Sequence, residues 1–194
     1  MDRVVLAGGL RSAFGAFRGS LSGIEMTDLA GRVGAGCLAA AGLPADRVDH
    51  VVFATTVPSG RDSLFSARVV GIKAGLPEAA GALAVVRACA SGLQALISAD
   101  QQVRLGQSRI TLAGGGESYS RVPHVLQTHR EGQARGPSTL EDMLDWAYRC
   151  PFSQEYMGET AENLAEDYGY DRAPMDDWAL QSQQRARAAR DSGF

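Results

Sequence analysis

Apolar residues come in short blocks that alternate between two periods. Residues 3–7 hold Val4, Val5, Leu6 and Ala7, a run that predicts a short buried strand ended by Gly8-Gly9. A loop follows over 11–23. From Thr27-Asp28, Leu29, Val33 and Cys37 or Leu38 recur at helical spacing until Gly42-Leu43-Pro44 stops the pattern. Residues 48–57 predict a strand centred on Val51-Val52-Phe53, and Pro58-Ser59-Gly60 breaks it. A helix over 64–74, a strand over 83–86 and a helix over 91–105 come next. The last of these has Leu93, Leu96, Ile97 and Val103 to bury. Residues 109–113 predict another strand, followed by Gly114-Gly115-Gly116, best read as a tight turn. Alternating strands and helices predict an α/β layer with a mostly parallel sheet and helices on its faces.

After Glu117 the alternation stops. Periodicity is weak over 118–156, with a helical hint at 139–146. This stretch predicts a loop region or lid rather than more sheet. Helices are expected over 158–168 and from Pro174 onward, with proline at the first helical position and Asp176-Asp177 in the first turn. The division expected is a core over 1–117 and a partial loop domain over 118–194. A parallel sheet that ends on a lid and a helix reads as one half of a larger assembly.

Composition narrows the function. A formal net charge of −3 and the absence of a basic face argue against nucleic acid. No apolar run approaches the length of a membrane span, and the start of the chain lacks the pattern of a secretory signal. The three cysteines, Cys37, Cys89 and Cys150, are widely spaced and form no CxxC pair, so neither a zinc site nor a disulfide framework is expected. Free thiols point to a reducing, cytoplasmic compartment.

The chemistry concentrates at Cys89. The expected strand ends at Val86, the cysteine sits at the turn, and a helix opens behind it among the small residues Ala88, Ala90 and Gly92. A helix N-terminus carries unpaired amides and partial positive charge, which favour the nucleophilic thiolate. Small neighbours leave room for a bulky thioester. The other reading of a cysteine is a small buried hydrophobe. Cys37, on an apolar helical stripe, fits that better, and Cys150 has no evident activating neighbour in the sequence. His50, His124 and His129 read as structural or loop residues.

The order of motifs along almost the whole chain resembles the thiolase family. Arg11-Ser12-Ala13-Phe14-Gly15, Ile72-Lys73-Ala74-Gly75-Leu76-Pro77, Cys89-Ala90-Ser91-Gly92-Leu93-Gln94-Ala95, Gly114-Gly115-Gly116-Glu117-Ser118 and Met157-Gly158-Glu159-Thr160-Ala161-Glu162-Asn163 fall in the family's sequence. The resemblance implies the thiolase layered α/β fold, of which this chain is the N-terminal half. It implies an acyltransferase that makes or cleaves 3-ketoacyl-CoA through an acyl-cysteine on Cys89, with acyl-CoA and CoA as partners and no cofactor or metal. The base, the second cysteine and most oxyanion-hole groups would come from the C-terminal half, so this chain alone is expected to be inactive. Met157 matches a residue of the family's acyl pocket, and Tyr156 stands where some members place a histidine near the pantetheine arm. A homo-oligomer, or assembly with a C-terminal half or partner subunit, is expected.

Val86 and Phe65 stand where the family commonly has asparagines that brace the cysteine loop, and Tyr119 where it has a methionine. A differently braced site is expected. Two alternatives stay open: a ketoacyl synthase-like condensing enzyme, which shares the fold and the strand–Cys–helix arrangement, and a non-catalytic thiolase-fold subunit.

Overall fold

The computed structural model describes residues 3–133 and 135–193. Two compact units divide between Leu144 and Asp145.

The first unit is built on three parallel strands in the order β2-β1-β3. These are β1 (His50–Ala54), β2 (Gly81–Val85) and β3 (Thr111–Gly115). In register, Ala54 lies between Val85 and Gly115, and His50 between Gly81 and Thr111. The chain crosses from β1 to β2 through α2 (Ser66–Lys73), then back past β1 to β3 through α3 (Ser91–Arg104). Two crossovers in opposite directions put their helices on opposite faces. On one face Val51 and Phe53 pack against Leu38, Ala67, Val70 and Ala74, from α2, its C-cap and α1 (Met26–Ala40). On the other, Val52 and Ala54 pack against Ala95 and Ala99 of α3. A central strand buried on both faces explains the unbroken apolar run Val51-Val52-Phe53-Ala54.

Carboxylates tie the strand ends. Before β1, Asp49 accepts the Arg109 and Ile110 amides at 2.9 and 3.2 Å. Arg68 of α2 donates to the Glu78 and Ala80 carbonyls at 2.7 and 2.8 Å, fixing the approach to β2. Beyond the sheet, β4 (His124–Val125) and β5 (Glu141–Asp142) form a short antiparallel pair. The division into units falls within the first turn of α4 (Met143–Tyr148).

The second unit continues with α5 (Met157–Tyr168) and α6 (Arg172–Asp191). Gly169 ends α5 in the left-handed conformation at φ 66°, with the Tyr170 amide bonded back to the Ala165 carbonyl. Among the described residues no helix is long and apolar enough to cross a membrane.

Four expectations are corrected. Residues 3–7 form no strand, and Val5 and Leu6 are 72% and 81% exposed; an apolar run becomes a strand only where it finds a pairing partner. The glycine run is not a turn: Gly114 and Gly115 lie inside β3, where a Cβ on Gly115 would fall 2.9 Å from the Ala54 carbonyl oxygen. On α3 the buried residues are Ser91, Ala95, Ser98 and Ala99, while Leu93, Leu96 and Ile97 are exposed, because small side chains let the helix approach β1 closely. The last helix begins at Arg172, two residues before Pro174.

Candidate active site

The carboxyl ends of the three parallel strands form one edge, the usual place for a ligand in an open α/β sheet. Three loops leave it: 55–57 after β1, 86–90 after β2 and 116–118 after β3. Glu117 joins the first to the third. Its carboxylate accepts the Thr56 amide, the Thr56 hydroxyl at 2.9 Å, and the Val57 amide and Thr55 hydroxyl at 3.3 Å each. Thr55 and Thr56 end the apolar run of β1 with hydroxyls that such a carboxylate can gather.

Cys89 sits on the second loop and is exposed, whereas Cys37 and Cys150 are half-buried. Its loop is a tight double turn. The Ala90 amide donates to the Arg87 carbonyl and the Ser91 amide to the Ala88 carbonyl, both at 3.0 Å. Ala88 takes a left-handed conformation at φ 45°, which for a residue with a Cβ costs about 1 kcal/mol or more. The Ser91 hydroxyl braces the same turn, and Arg87 reaches forward to the Gln94 side-chain oxygen at 2.7 Å. Behind the turn, α3 opens at Ser91 with its amide-bearing end beside the thiol's residue. The expected strand–Cys–helix arrangement is present. Phe65 and Val86, which stand for asparagines in the resemblance, are 67% and 68% exposed.

Tyr156 and Met157 belong to the second unit. Met157 is the first residue of α5, half exposed, and Tyr156 is its N-cap, whose amide donates to Glu159 Oε2 at 2.6 Å. The Tyr156 hydroxyl lies between Asp145 and Arg149, and the Arg149 guanidinium stacks 3.9 Å from its ring centroid. The Tyr156 hydroxyl and then Arg149 hold the Asp145 carboxyl below its usual range. Asp145 in turn raises the Tyr156 phenol above its ordinary value. This trio was missed in the sequence.

Cys150 corrects a sequence expectation. The backbone amides of Ser153 and then Phe152, with the Ser153 hydroxyl, lower its thiol pKa. The turn after Pro151 supplies these donors, which the sequence did not reveal.

Among the described residues each unit contains a concavity. In the first, about 910 Å³ lies between the segment bearing Phe14 and Phe17, the α1 stripe of Leu29, Val33 and Cys37, and the outer side of β3. In the second, about 690 Å³ lies between α5 and α6, lined by Glu162, Glu166, Asp171, Arg172 and Asp176. Cys89, Tyr156 and Met157 line neither. Among the described residues no group of three or more His, Cys, Asp or Glu side chains could hold a metal ion.

Comparisons with known proteins converge. The family profile of the thiolase N-terminal domain matches residues 4–194. A beta-ketothiolase of Cupriavidus necator is 39% identical over 191 residues, covering 98% of this chain and 48% of that protein. A probable acetyl-CoA acetyltransferase of Escherichia coli is 41% identical over 195 residues, covering 100% of this chain and 49% of that protein. The crystal structure of human mitochondrial 3-ketoacyl-CoA thiolase in complex with CoA superposes with a TM-score of 0.90 at 34% identity, covering 96% of this chain and 48% of that one. The chain spans about half the length of the curated relatives it matches.

Proposed function

The chain belongs to the thiolase family, matching its N-terminal domain, and from that premise we propose that it serves acyl transfer between coenzyme A thioesters, with Cys89 carrying the acyl group. The observation that carries this reading is the exposed thiol on the braced turn between β2 and α3. Relatives named beta-ketothiolase and acetyl-CoA acetyltransferase, and a similar structure solved with CoA, support the substrate class.

In this reading the Cys89 thiolate attacks the thioester carbonyl of an acyl-CoA. A new carbon–sulfur bond forms at Cys89, the tetrahedral intermediate collapses, and CoA leaves as its thiolate. In the condensing direction a base takes the α-proton of a second acyl-CoA, the new carbon–carbon bond forms at the acyl carbon and the Cys89 thiolate leaves. In the cleaving direction Cys89 instead attacks the 3-keto carbon of a 3-ketoacyl-CoA and the bond between C2 and C3 breaks. The C2 fragment takes up a proton and leaves as an acyl-CoA, and free CoA then accepts the acyl group from Cys89. The attack needs an accessible sulfur and small neighbours. The turn supplies the first, and Ala88, Ala90 and Gly92 the second.

The same reading assigns Tyr156 and Met157 to the substrate. Met157 would meet the acyl chain and Tyr156 the pantetheine arm, with residues 118–194 as the loop region that covers the ligand and 1–117 as the core. No metal or prosthetic group takes part, because the bond changes are those of thioester exchange and carbon–carbon condensation. We place the protein in the cytoplasm as an oligomer, homomeric or with a partner subunit.

The experiment is to incubate the chain, assembled with a thiolase C-terminal half, with acetyl-CoA, quench in acid and map the peptides. The expected result is the mass of one acetyl group on Cys89, with a matching release of free CoA. Acetylation of Cys37 or Cys150 in its place, or none at Cys89, would overturn the reading.

A further inference from the structure

The geometry points to Ser91 as a positioning residue for Cys89: its hydroxyl closes the turn that holds the nucleophile. The inference rests on the reading of Cys89 as the acyl carrier, and it concerns how the sulfur is aimed.

Ser91 Oγ accepts the Arg87 amide at 2.7 Å and donates to the Ala88 carbonyl at 2.6 Å. It therefore ties both residues that precede Cys89 to the first residue of α3. Ser91 is 5% exposed, and its two bonds are part-buried although Arg87 and Ala88 are exposed. The turn needs them, because Ala88 is left-handed without being glycine. Such a residue keeps its conformation only where its surroundings over-determine it. Around Ala88 the determinants are few: the Ala90 and Ser91 amides bonded to the Arg87 and Ala88 carbonyls, and the two bonds of the Ser91 hydroxyl.

Removing the hydroxyl leaves the Arg87 amide without this acceptor and the Ala88 carbonyl with one bond fewer. Ala88 then relaxes towards the ordinary right-handed or extended regions. That movement rotates the following peptide, and with it Cys89, relative to the first-turn amides of α3. The sulfur's direction of approach to a ligand changes with it. A residue that only filled space would leave the reactivity of the sulfur alone.

The test is the pH dependence of Cys89 alkylation by iodoacetamide, read by peptide mapping on the full chain as wild type, Ser91→Ala and Ser91→Thr. Thermal unfolding by circular dichroism accompanies it. Ser91→Ala is expected to slow Cys89 alkylation about two- to fivefold, the scale of an interaction at an exposed helix terminus. Ser91→Thr, which keeps the hydroxyl, should restore the rate, and Cys37 and Cys150 should be unaffected. Superimposable Cys89 profiles for wild type and Ser91→Ala would overturn the inference. If Ser91→Ala does not fold, Ser91→Thr against Ser91→Val repeats the comparison at matched shape, and equal Cys89 profiles there overturn it too. Failure of acetyl-CoA to acylate Cys89 in the wild type assembled with a C-terminal half is a different result, and it removes the reading of the nucleophile itself.

Discussion

Gly31 offers a quantitative test of the packing that holds the sheet. It lies on the face of α1 that meets α2, where an added Cβ would fall 2.5 Å from Lys73 Cβ, 3.2 Å from Lys73 C and 3.4 Å from Lys73 Cα. Carbon atoms prefer separations of about 3.5–4.0 Å. The obstacle is the root of Lys73 rather than its mobile end, and the ammonium is itself held by Asp28 at 2.7 Å and Asp62 at 3.1 Å. Gly31→Ala must therefore push the two helices apart. Overpacking of this kind costs roughly 1–3 kcal/mol, and the close approach to fixed atoms argues for the upper half of that range. Alanine returns about 0.8–1 kcal/mol of helix propensity. The expected net loss is about 1–2 kcal/mol, or a melting temperature lower by about 2–8 °C. Trp146 and Trp178 both lie in the second unit, so circular dichroism in urea is the better probe. Gly36→Ala is the internal control. Its Cβ would meet only the Leu10 side chain, at 3.4 Å, and the propensity gain should survive. A Gly31→Ala midpoint at or above that of wild type would refute the argument.

Burial depresses the pKa of His50 from its ordinary value of 6.5, against a smaller opposing pull from Asp49. The unfolded chain therefore binds the extra proton first, and stability should fall as pH drops below about 6.5; His50→Gln should flatten that part of a stability–pH curve, and an unchanged slope would exclude His50 as the source. Ser153→Ala removes a hydroxyl that helps lower the Cys150 thiol pKa, so the pH midpoint of Cys150 alkylation should rise while that of Cys37 stays fixed; no movement would discount the hydroxyl. In the assembly with a C-terminal half, Met157→Ala should shift kcat/KM towards longer or branched acyl chains by roughly 1–3 kcal/mol per methylene-scale contact. An unchanged chain-length profile would make Met157 ordinary packing.

What the sequence revealed divides along physical lines. The centre of β1 was legible because a strand buried on both faces must be apolar at every position, and Val51, Val52 and Phe53 are. Cys89 was legible because strand, small turn residues and helix follow one another in the chain. The buried face of α3 was not, since hydrophobic periodicity favours large residues while close packing on β1 selects Ala95 and Ala99. Residues 3–7 misled for a related reason: pairing is non-local, and a run of valine and leucine does not name its partner. The Asp145–Arg149–Tyr156 trio is likewise assembled by a turn whose course no periodicity announces.

Ser91 and Glu117 belong to the same class of hidden determinant. Each is an ordinary polar residue in the sequence, and each gathers donors from a loop at the carboxyl edge. Glu117 holds 55–57 to the end of β3, and Ser91 holds the β2 exit to α3. At the opposite edge Asp49 ties the entry of β1 to that of β3. The edge that carries Cys89 is thus clamped on two loops, by Glu117 accepting the Thr56 and Val57 amides and by Ser91 accepting the Arg87 amide and donating to the Ala88 carbonyl. In the proposed acyl transfer, a nucleophile that meets a thioester within a fraction of an ångström needs its turn fixed before the ligand arrives. Hydrophobic burial cannot supply that, because the turn is exposed and its residues are small. Directional bonds from neighbouring side chains can, and for this reason the determinants of the site lie in polar residues that carry no catalytic signature of their own.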